Sequence, residues 1–552
     1  MQPTKSMAPH AETPPTNSAS VSEDPLPSTN PSPSPVRILI IGAGSRGSQY
    51  SRCVAQGTNG IVVAVAEPIA SKRQRLGSRY IWGNNAPSPG QSFSDWHEFF
   101  EYEQDRRARA ARGESVPEGV EAAFICVLDE LHKEVIVGLK PLGLHIMCEK
   151  PLATTLNDCV EIYKAMLPDL PGTTQPSKIF SIGHVLRYSP HNMLLRKLLL
   201  EERVIGDVLS INHTEPVGYW HFTHSYVRGN WRKESKTAPT LLTKSCHDID
   251  FLLWLLCSPP PTSSLSEPHL PSSITSTGSL QYFTQTRKPP SAGAATNCLS
   301  CPIEPDCKYS AKTIYISPAH QGLKSKPHTS KDYNTHWPVD IVHPEIEEIT
   351  LQSGIPAAET ALLKVLAEDY TTSTPASEIE SRNWFGRCVW ESDNDVADDQ
   401  FVTLTFPAVP ERGLGAKQAS FHMVAQTKKI CERYTHIYGT EGEIYADGKT
   451  IEVEDFRTGE KKVWTPSKTD ETSGHGGGDA GLVTQFVGAV EAVKKGEEVE
   501  KAQREWVGCS LEEVIRSHAV VFAAEQARNN KLVVDFESWW KEEVVEKLAL
   551  GA

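Results

Sequence analysis

Two short segments of this 552-residue chain carry side chains that could move a proton. In the first, Glu149, Lys150 and Pro151 directly follow the apolar run 144–148. Such a run is typical of a buried parallel strand, and proline, which has no N–H to donate, ends it. Because ligands bind at the carboxyl ends of strands in open α/β sheets, Lys150 is a candidate for chemistry on a ligand. A strand-end lysine with its amine in water would have the same sequence signature.

The second segment, 243–250, reads Thr-Lys-Ser-Cys-His-Asp-Ile-Asp and precedes the apolar run 251–256. We predict that the apolar run is a helix and that the polar residues lie at its N-terminal end, pointing out of the core. His247 and Asp250 are three residues apart and would share a helical face. Since histidine exchanges protons near neutral pH, His247 is the second candidate for proton transfer.

A dinucleotide fingerprint lies upstream of both segments. The pattern Gly42-x-Gly44-x-x-Gly47 follows the apolar run 36–41 and opens a helical pattern. The first glycine makes the tight turn, the second lets the backbone approach the pyrophosphate, and the third lets the helix pack on the strand. We therefore predict nucleotide binding, with Ser45 and Arg46 in the phosphate loop.

The residue at the end of the next predicted strand indicates which of the two nicotinamide cofactors is preferred. It ends at Glu67, twenty residues beyond Gly47, where a carboxylate would accept hydrogen bonds from the adenosine ribose. A carboxylate there would repel a 2′-phosphate, which favours NAD. Lys72 and Arg73 follow closely and could offset that repulsion, so NADP stays open.

Strands alternate with helices from residue 36 to the Lys150 segment, which predicts a doubly wound parallel sheet in an α/β domain, residues 36–158. Residues 159–552 read as an α+β domain over a large open sheet. Its predicted elements are helices at 156–167, 189–202 and 510–528 and strands at 179–183, 208–213, 280–283 and 532–536. Insertions are predicted at 258–296 and 317–380, the latter partly helical at 357–367. The Pro/Ser/Thr-rich tail, 1–35, is predicted to be disordered.

An aromatic and basic segment, 217–232, is the strongest candidate for substrate binding. Aromatic faces and planar donors suit a polyhydroxylated or anionic ligand, although an aromatic loop packed on the sheet fits equally well. His475, followed by three glycines, is a further substrate-contact candidate or part of a flexible turn. The candidate substrate residues in the segment are Tyr219, Trp220, His224, Arg228, Trp231 and Arg232.

A group of cysteines could bind a metal. Cys298-x-x-Cys301 and Cys307 form a structural zinc site if Cys388 supplies a fourth thiolate; otherwise they are reduced thiols. The chain's twelve cysteines show no disulfide pattern. Its net charge of −14 argues against a nucleic-acid partner, and no apolar run is long enough to cross a bilayer. Without a signal-peptide core, a cytoplasmic location is expected.

The ordered combination of the glycine fingerprint, residues 149–151, residues 183–187 and His247-x-x-Asp250 resembles the Gfo/Idh/MocA family. The resemblance implies a Rossmann domain and a second domain with a large, mainly antiparallel sheet that often mediates oligomers. In this family a hydride passes between a sugar or polyol carbon and the nicotinamide.

The resemblance also assigns roles to residues. Lys150 and His247 would hydrogen-bond the reacting hydroxyl, and His247 would accept its proton. His132 corresponds to a histidine near the nicotinamide, where Glu149 is also expected. Arg187 would help to bind the remaining hydroxyls or a carboxylate.

One departure from the family keeps alternatives open. Many members carry an aspartate four residues before the histidine, where this chain has Thr243, so the substrate site differs or the reaction does. One alternative is an NAD-dependent glycosidase that oxidises a sugar transiently, eliminates the leaving group and returns the hydride. Another is a non-catalytic NAD(P)-binding regulator, which the retention of Lys150 and His247 disfavours.

Overall fold

The computed structural model describes residues 34–168, 176–258, 267–326, 332–466 and 475–549. These residues form two sheets, one with six strands and one with nine. The tail predicted to be disordered lies outside the described residues except for its last two positions.

The six-stranded sheet is parallel throughout, as predicted, in the order β3-β2-β1-β4-β5-β6. Its central strand, β1, buries five of its six residues because helices cover both faces. The last strand, β6, lies beyond the predicted domain boundary at residue 158. The elements are β1 (Val36–Ile41), α1 (Ser45–Gly57), β2 (Gly60–Ala66), α2 (Ala70–Tyr80), β3 (Ser92–Phe93), α3 (Trp96–Ala111), β4 (Ala122–Ile125), α4 (His132–Leu139), β5 (His145–Cys148), α5 (Leu156–Met166) and β6 (Phe180–Ile182).

The nine-stranded sheet is mainly antiparallel, in the order β14-β13-β12-β11-β7-β10-β9-β8-β15, with a parallel pairing between β7 and β10. Its strands are β7 (Val208–Pro216), β8 (Ser273–Ser279), β9 (Asp399–Phe406), β10 (Lys417–Val424), β11 (Tyr434–Gly439), β12 (Gly442–Ala446), β13 (Ile451–Asp455), β14 (Lys461–Trp464) and β15 (Val534–Asp535). The remaining helices are α6 (Pro190–Arg196), α7 (Tyr219–Phe222), α8 (Thr240–Leu256), α9 (Ala311–Tyr315), α10 (Val339–Val342), α11 (Ile346–Leu366), α12 (Ala376–Ser381), α13 (Gly478–Lys494), α14 (Val499–Ala502), α15 (Leu511–Asn530), α16 (Phe536–Trp540) and α17 (Glu546–Ala549).

Helix α8 differs from its prediction in a way that matters for the site. It begins at Thr240, and every residue from there to Leu256 is buried. The polar segment 243–250 therefore lies inside the helix and inside the protein, and the prediction that it points out of the core was wrong. The helix packs between the nine-stranded sheet and α15, so both of its faces need partners.

Two predicted strands also differ. Residues 280–283 form a loop, because the Asp398 carboxylate accepts hydrogen bonds from the backbone N–H groups of Gln281, Tyr282 and Phe283. The strand predicted at 532–536 is reduced to β15, since Phe536 starts a helix that Asp535 caps.

The insertion 317–380 contains α10, α11 and α12 and has its own apolar cluster. Trp220 joins that cluster, with its ring 5.4 Å from Trp337 and 5.1 Å from His320. On another side, Glu347 of α11 pairs with Arg75 of α2 at 3.1 Å. The insertion thus contacts both the aromatic segment and the parallel sheet's α2.

Candidate active site

The glycine loop after β1 has the shape that a pyrophosphate requires. Gly42 has φ +94°, and a Cβ there would lie 2.4 Å from the Cys126 carbonyl oxygen. A Cβ at Gly44 would meet no other atom within 4 Å, so open space lies beside the backbone at that position. Helix α1 begins there without a side-chain cap, and its first N–H groups are available to an anion. These residues fit a dinucleotide.

Glu67 lies at the carboxyl end of β2 and is buried. Its carboxylate accepts hydrogen bonds from the backbone N–H groups of Ala43, at 2.7 Å, and Ile69, at 2.9 Å. It therefore ties the glycine loop to the end of β2 and places a carboxyl group at the edge where the ribose would lie.

Arg46, predicted to contact the cofactor, is instead bound by carboxylates. Its Nε donates to Glu149 at 2.6 Å, and its two terminal nitrogens donate to Asp479 at 2.7 and 3.2 Å. Although burial opposes it, the Arg46 guanidinium and the Tyr50 hydroxyl hold the pKa of Glu149 below its usual value. His475 joins this network through a 3.1 Å contact between its Nδ1 and Asp479. The network lies beside the phosphate loop and connects it to α13.

Lys150 reaches from the end of β5 to α8. Its Nζ donates a hydrogen bond to the Thr243 carbonyl oxygen at 2.6 Å, one helical turn before His247. The backbone that follows is held by two histidines. His132 Nδ1 lies 2.7 Å from the Pro151 carbonyl oxygen, and the Leu152 N–H donates to His518 Nε2 at 2.8 Å.

His247 is 3% exposed and has one engaged ring nitrogen. Its Nε2 lies 2.6 Å from Arg433 Nη2 and 3.3 Å from the Asp248 carboxylate, whereas its Nδ1 has no hydrogen-bond partner. Burial, supported by the charges of Arg433 and Lys150, lowers the pKa of His247 well below its usual value despite Asp248. The imidazole is therefore neutral at pH 7 and can accept a proton.

A buried ion-pair network surrounds His247. Arg433 Nε lies 2.5 Å from Asp248 and 3.1 Å from Glu215, and Glu215 also pairs with Lys244 at 3.1 Å. Lys244 Nζ further contacts Cys431 Sγ at 3.0 Å. Sequence reasoning missed Arg433 and Glu215, and nothing in the local pattern around either residue identifies it.

Asp129 is another residue that sequence reasoning missed, although it follows the end of β4 as Lys150 follows β5. Its carboxylate accepts a hydrogen bond from the Trp231 indole N–H at 2.7 Å. Burial raises the pKa of Asp129, against the opposing charges of His132 and Lys150. Asp129 and Trp231 thus add an acid and an aromatic ring to the group around Lys150.

The other aromatic candidates are mostly packed elsewhere. His224 is buried between Phe385, with ring centroids 5.5 Å apart, and Tyr315, whose hydroxyl lies 3.1 Å from its Nδ1. Trp220 is part of the insertion's apolar cluster, and the half-buried Tyr219 faces His320 at 3.4 Å.

The three arginines predicted to bind substrate do not join the group around His247. Arg187 donates two hydrogen bonds to Asp250, at 2.7 and 2.9 Å, and contacts Glu513. Arg228 donates to the Arg387 and Tyr309 carbonyl oxygens, and Arg232 to Asp393. Each guanidinium is at least 97% buried and serves protein acceptors. The same contact with Arg187 removes Asp250 from the predicted pair with His247.

The four cysteines predicted as metal ligands do come together. Cys298, Cys301, Cys307 and Cys388 all line one cavity of about 20 Å³. Among the described residues, a different group brings three potential ligand atoms within 4.8 Å of one another: His184, Cys246 and His518. Both ring nitrogens of His518 are already hydrogen-bonded, to Leu152 and Val514.

Comparison with protein families and curated proteins gives consistent results. Residues 36–167 match the oxidoreductase family's NAD-binding Rossmann fold, and residues 197–280 match that family's C-terminal α/β domain. The chain is 25% identical to inositol 2-dehydrogenase of Salmonella typhimurium over 39% of this chain and 53% of that protein. It is 28% identical to 2,7-anhydro-N-acetylneuraminate hydratase of Escherichia coli over 26% of this chain and 36% of that protein. The matches thus span about a third to a half of these relatives.

Solved structures share the fold. An inositol dehydrogenase homologue from Azotobacter vinelandii, complexed with NAD+, has a TM-score of 0.55 at 12% identity and covers 91% of this chain and 98% of its own. Levoglucosan dehydrogenase in complex with NADH and levoglucosan has a TM-score of 0.52 at 14% identity, covering 91% and 99%. In the described part of this chain, no helix has the length and apolar character to span a membrane.

Proposed function

We propose that the chain is an NAD(P)-dependent oxidoreductase of the Gfo/Idh/MocA family, whose two domain models match residues 36–167 and 197–280. It would transfer a hydride between nicotinamide and a hydroxyl-bearing carbon of a sugar, polyol or glycoside. One observation carries the proposal: the Lys150 amine contacts α8 one helical turn before His247, at the sheet edge that also holds the glycine loop. When bound, the cofactor would supply the hydride acceptor at this edge.

We propose that Lys150 and His247 are the catalytic residues. The neutral imidazole can take the proton of the reacting hydroxyl at Nε2, where Arg433 now donates a hydrogen bond. The hydroxyl would replace Arg433 there, and Arg433 stays anchored by Asp248 and Glu215. The Lys150 ammonium would stabilise the developing alkoxide.

The carboxylate that many family members carry at position 243 is replaced here. The Thr243 hydroxyl is turned back to the Pro239 carbonyl oxygen at 3.3 Å, so it is directed into its own helix. Asp129, in the turn after β4, and Asp248, the residue after His247, supply acidic groups instead. Together with the indole of Trp231, they would bind the hydroxyls of a polyhydroxylated substrate.

We infer that NAD is preferred over NADP. Glu67 keeps its carboxylate at the ribose edge. Of the neighbouring cations, the Arg73 guanidinium binds the Glu67 carbonyl oxygen, and Arg75 pairs with Glu347 of the insertion. A 2′-phosphate would therefore meet a negative charge.

A redox-neutral elimination is the second candidate. It is favoured by Asp129, a buried acid whose pKa is raised by burial and which is a candidate to protonate a leaving group. One relative is named as a hydratase, and hydration is a redox-neutral reaction. The reaction would oxidise the sugar, eliminate the leaving group and return the hydride to the same carbon.

A substrate screen separates these candidates. Purified protein is incubated with pyranoses, inositols and aryl glycosides, each with NAD and with NADP. Accumulating reduced nicotinamide supports the dehydrogenase, and released leaving group without net reduction supports the elimination. Cofactor binding without either reaction supports a non-catalytic regulator and contradicts the proposal.

We also propose that the protein self-associates through the outer face of the nine-stranded sheet. Exposed Phe401, Tyr434, Tyr445 and Val463 lie on that face, and a second copy of the chain would cover their apolar surface. Light scattering should give a mass of at least twice that of the chain, and the Phe401→Lys variant should give a lower mass. A monomeric wild-type protein at micromolar concentration would refute self-association.

A further inference from the structure

The helix that follows Glu67 carries a basic face. Helix α2 begins at Ala70, and Lys72, Arg75 and Arg79 recur along it at intervals of three and four residues. Residues with this spacing lie on one side of a helix. A basic helix beside the adenosine ribose suits a 2′-phosphate, because arginine near the ribose accommodates that phosphate in NADP-binding proteins. A preference for NAD therefore needs an explanation on this face as well as at Glu67.

The insertion places a carboxylate against the basic face. Glu347, in the first turn of α11, lies 3.1 Å from Arg75 and 3.9 Å from Arg79. In the shorter contact, Arg75 Nη1 donates a hydrogen bond to the carboxylate. The side chain of Glu347 is 8% exposed, against 22% for Arg75 and 41% for Arg79. The carboxylate is thus the inner partner, and the two guanidinium groups stay partly accessible.

Glu347 keeps its charge in this position. Burial alone would raise the pKa of Glu347, but the hydrogen bond from Arg75 and the charges of His336 and Arg79 hold that pKa below its usual value. The carboxylate is therefore ionised at pH 7. Its negative charge offsets positive charge on α2 that would otherwise attract a phosphate.

A second acidic residue of the insertion lies near the same face. Asp340 of α10 is buried, and its Oδ1 has no hydrogen-bond partner among the described residues. Burial raises the pKa of Asp340, and the charges of Lys72, His336 and Arg75 oppose that increase. Asp340 therefore lies close enough to Lys72 and Arg75 for its charge to act on theirs.

We propose that the insertion sets the cofactor preference, with Glu347 and Asp340 offsetting the positive charge of α2 so that a 2′-phosphate is not bound. This role rests on the proposed nucleotide site and adds a determinant far from Glu67 in sequence. Glu67 stands at the ribose, and the insertion keeps Arg75 and Arg79 away from the phosphate that the ribose of NADP carries.

Equilibrium binding of the two dinucleotides tests the proposal without any substrate. The full chain is titrated with NAD and with NADP in a calorimeter. We expect wild type to bind NAD more tightly than NADP. The Asp340→Asn/Glu347→Gln double variant should bind NADP about tenfold more tightly than wild type does, with the NAD dissociation constant changed by less than about threefold. The gain should shrink in about 0.5 M salt, because salt screens charges, whereas a change in packing would not depend on salt.

Two further variants guard against a change in folding. Glu347→Gln alone should increase NADP affinity by at least about threefold, and adding Arg75→Met should remove that gain, because the freed guanidinium is the group that binds the phosphate. The matched control is Glu359→Gln, since Glu359 of α11 pairs with Lys324 of the insertion itself at 2.8 Å. The control should keep the wild-type ratio of NADP to NAD affinity.

The outcomes separate this role from the proposed function. An unchanged ratio in both Glu347→Gln and the double variant would refute the role of the insertion and leave the nucleotide site standing. A wild-type preference for NADP would refute this role together with the preference for NAD. Wild-type protein that binds neither dinucleotide would overturn the proposed function, and the role of the insertion with it.

Discussion

Replacing Lys150 with methionine removes the amine and keeps most of the side-chain volume. The lost contact is the 2.6 Å hydrogen bond to the Thr243 carbonyl oxygen. Hydrogen bonds from charged donors contribute about 1.5–3 kcal/mol. Thr243 also lies inside α8, where its carbonyl accepts a helical hydrogen bond, so the oxygen is not left unpaired. We expect the loss of stability to lie near the lower limit, about 1.5 kcal/mol.

Lys150→Met should reduce turnover by more, in free energy, than it reduces stability. Lost assistance to proton transfer slows a reaction by about 100- to 10,000-fold, or about 2.7–5.5 kcal/mol in the activation free energy. The glycine loop and Glu67 do not contact Lys150, so the NAD dissociation constant should change by less than about threefold, which is below 0.7 kcal/mol.

The assay combines cofactor titration with steady-state kinetics on a substrate found in the screen. Lys133→Met is the matched control, because Lys133 pairs with Asp158 and Glu161 on the outer surface of the parallel-sheet domain. The control should retain turnover within a factor of about two. If Lys150→Met also retains turnover within about threefold, Lys150 has no catalytic role and the reasoning fails.

Three further predictions concern the cofactor site and the buried histidines. The Gly44→Val variant should melt within about two degrees of wild type, because a Cβ at position 44 meets no other atom. The same variant should bind NAD at least about tenfold more weakly, because the valine side chain fills the space for the pyrophosphate. An unchanged NAD affinity would show that the pyrophosphate does not lie at Gly44. Glu67→Gln should shift the NAD-to-NADP preference towards NADP by at least about tenfold, the size expected for removing one charge, and an unchanged ratio would show that Glu67 does not face the ribose. Burial lowers the pKa of His224 and of His518 to about 3, so the unfolded chain binds protons below about pH 6.5 that the folded chain does not. The free energy of unfolding should therefore fall as the pH falls from 6.5 to 5, by up to about 1.4 kcal/mol per pH unit for each histidine. The His224→Phe variant should show a smaller drop in melting temperature over this pH range than wild type. An identical drop in the variant would contradict the prediction for His224.

The nucleotide-binding half of the fold was predictable because its signals are local. A glycine turn between an apolar run and a helix, followed by an acid at the end of the next strand, determines its own geometry. Gly42 illustrates the point, since its positive φ and the 2.4 Å approach to Cys126 leave room for no side chain.

The surroundings of His247 were not predictable, because they depend on long-range packing. Arg433 is 186 residues from His247 in sequence. It lies just before the first residue of β11, and its side chain extends to His247 on α8. The arginines at 187, 228 and 232 failed as substrate ligands for the same reason. A buried guanidinium must satisfy its donors, and composition alone does not reveal that protein carboxylates and carbonyl oxygens already do so.

The burial of the 243–250 segment was missed because α8 begins earlier in the chain than the sequence predicted. Thr240 begins α8 directly after Pro239, and the extra turn moves His247 from the helix end to its interior. The burial of His247 inside the helix favours the proposed proton transfer, because burial keeps the imidazole neutral.

In the proposed reaction, a polyhydroxylated substrate reduces cofactor bound at the glycine loop, with Lys150 and His247 at the reacting hydroxyl. A single-turnover experiment tests it most directly, with protein in excess over NAD and absorbance followed at the wavelength of reduced nicotinamide as each compound of the screen is added. We expect a substrate-dependent rise in absorbance that lasts for a dehydrogenase and is transient for an elimination. The rise should disappear in Lys150→Met. Tight NAD binding with no rise for any compound, or an equal rise in the variant, would contradict it.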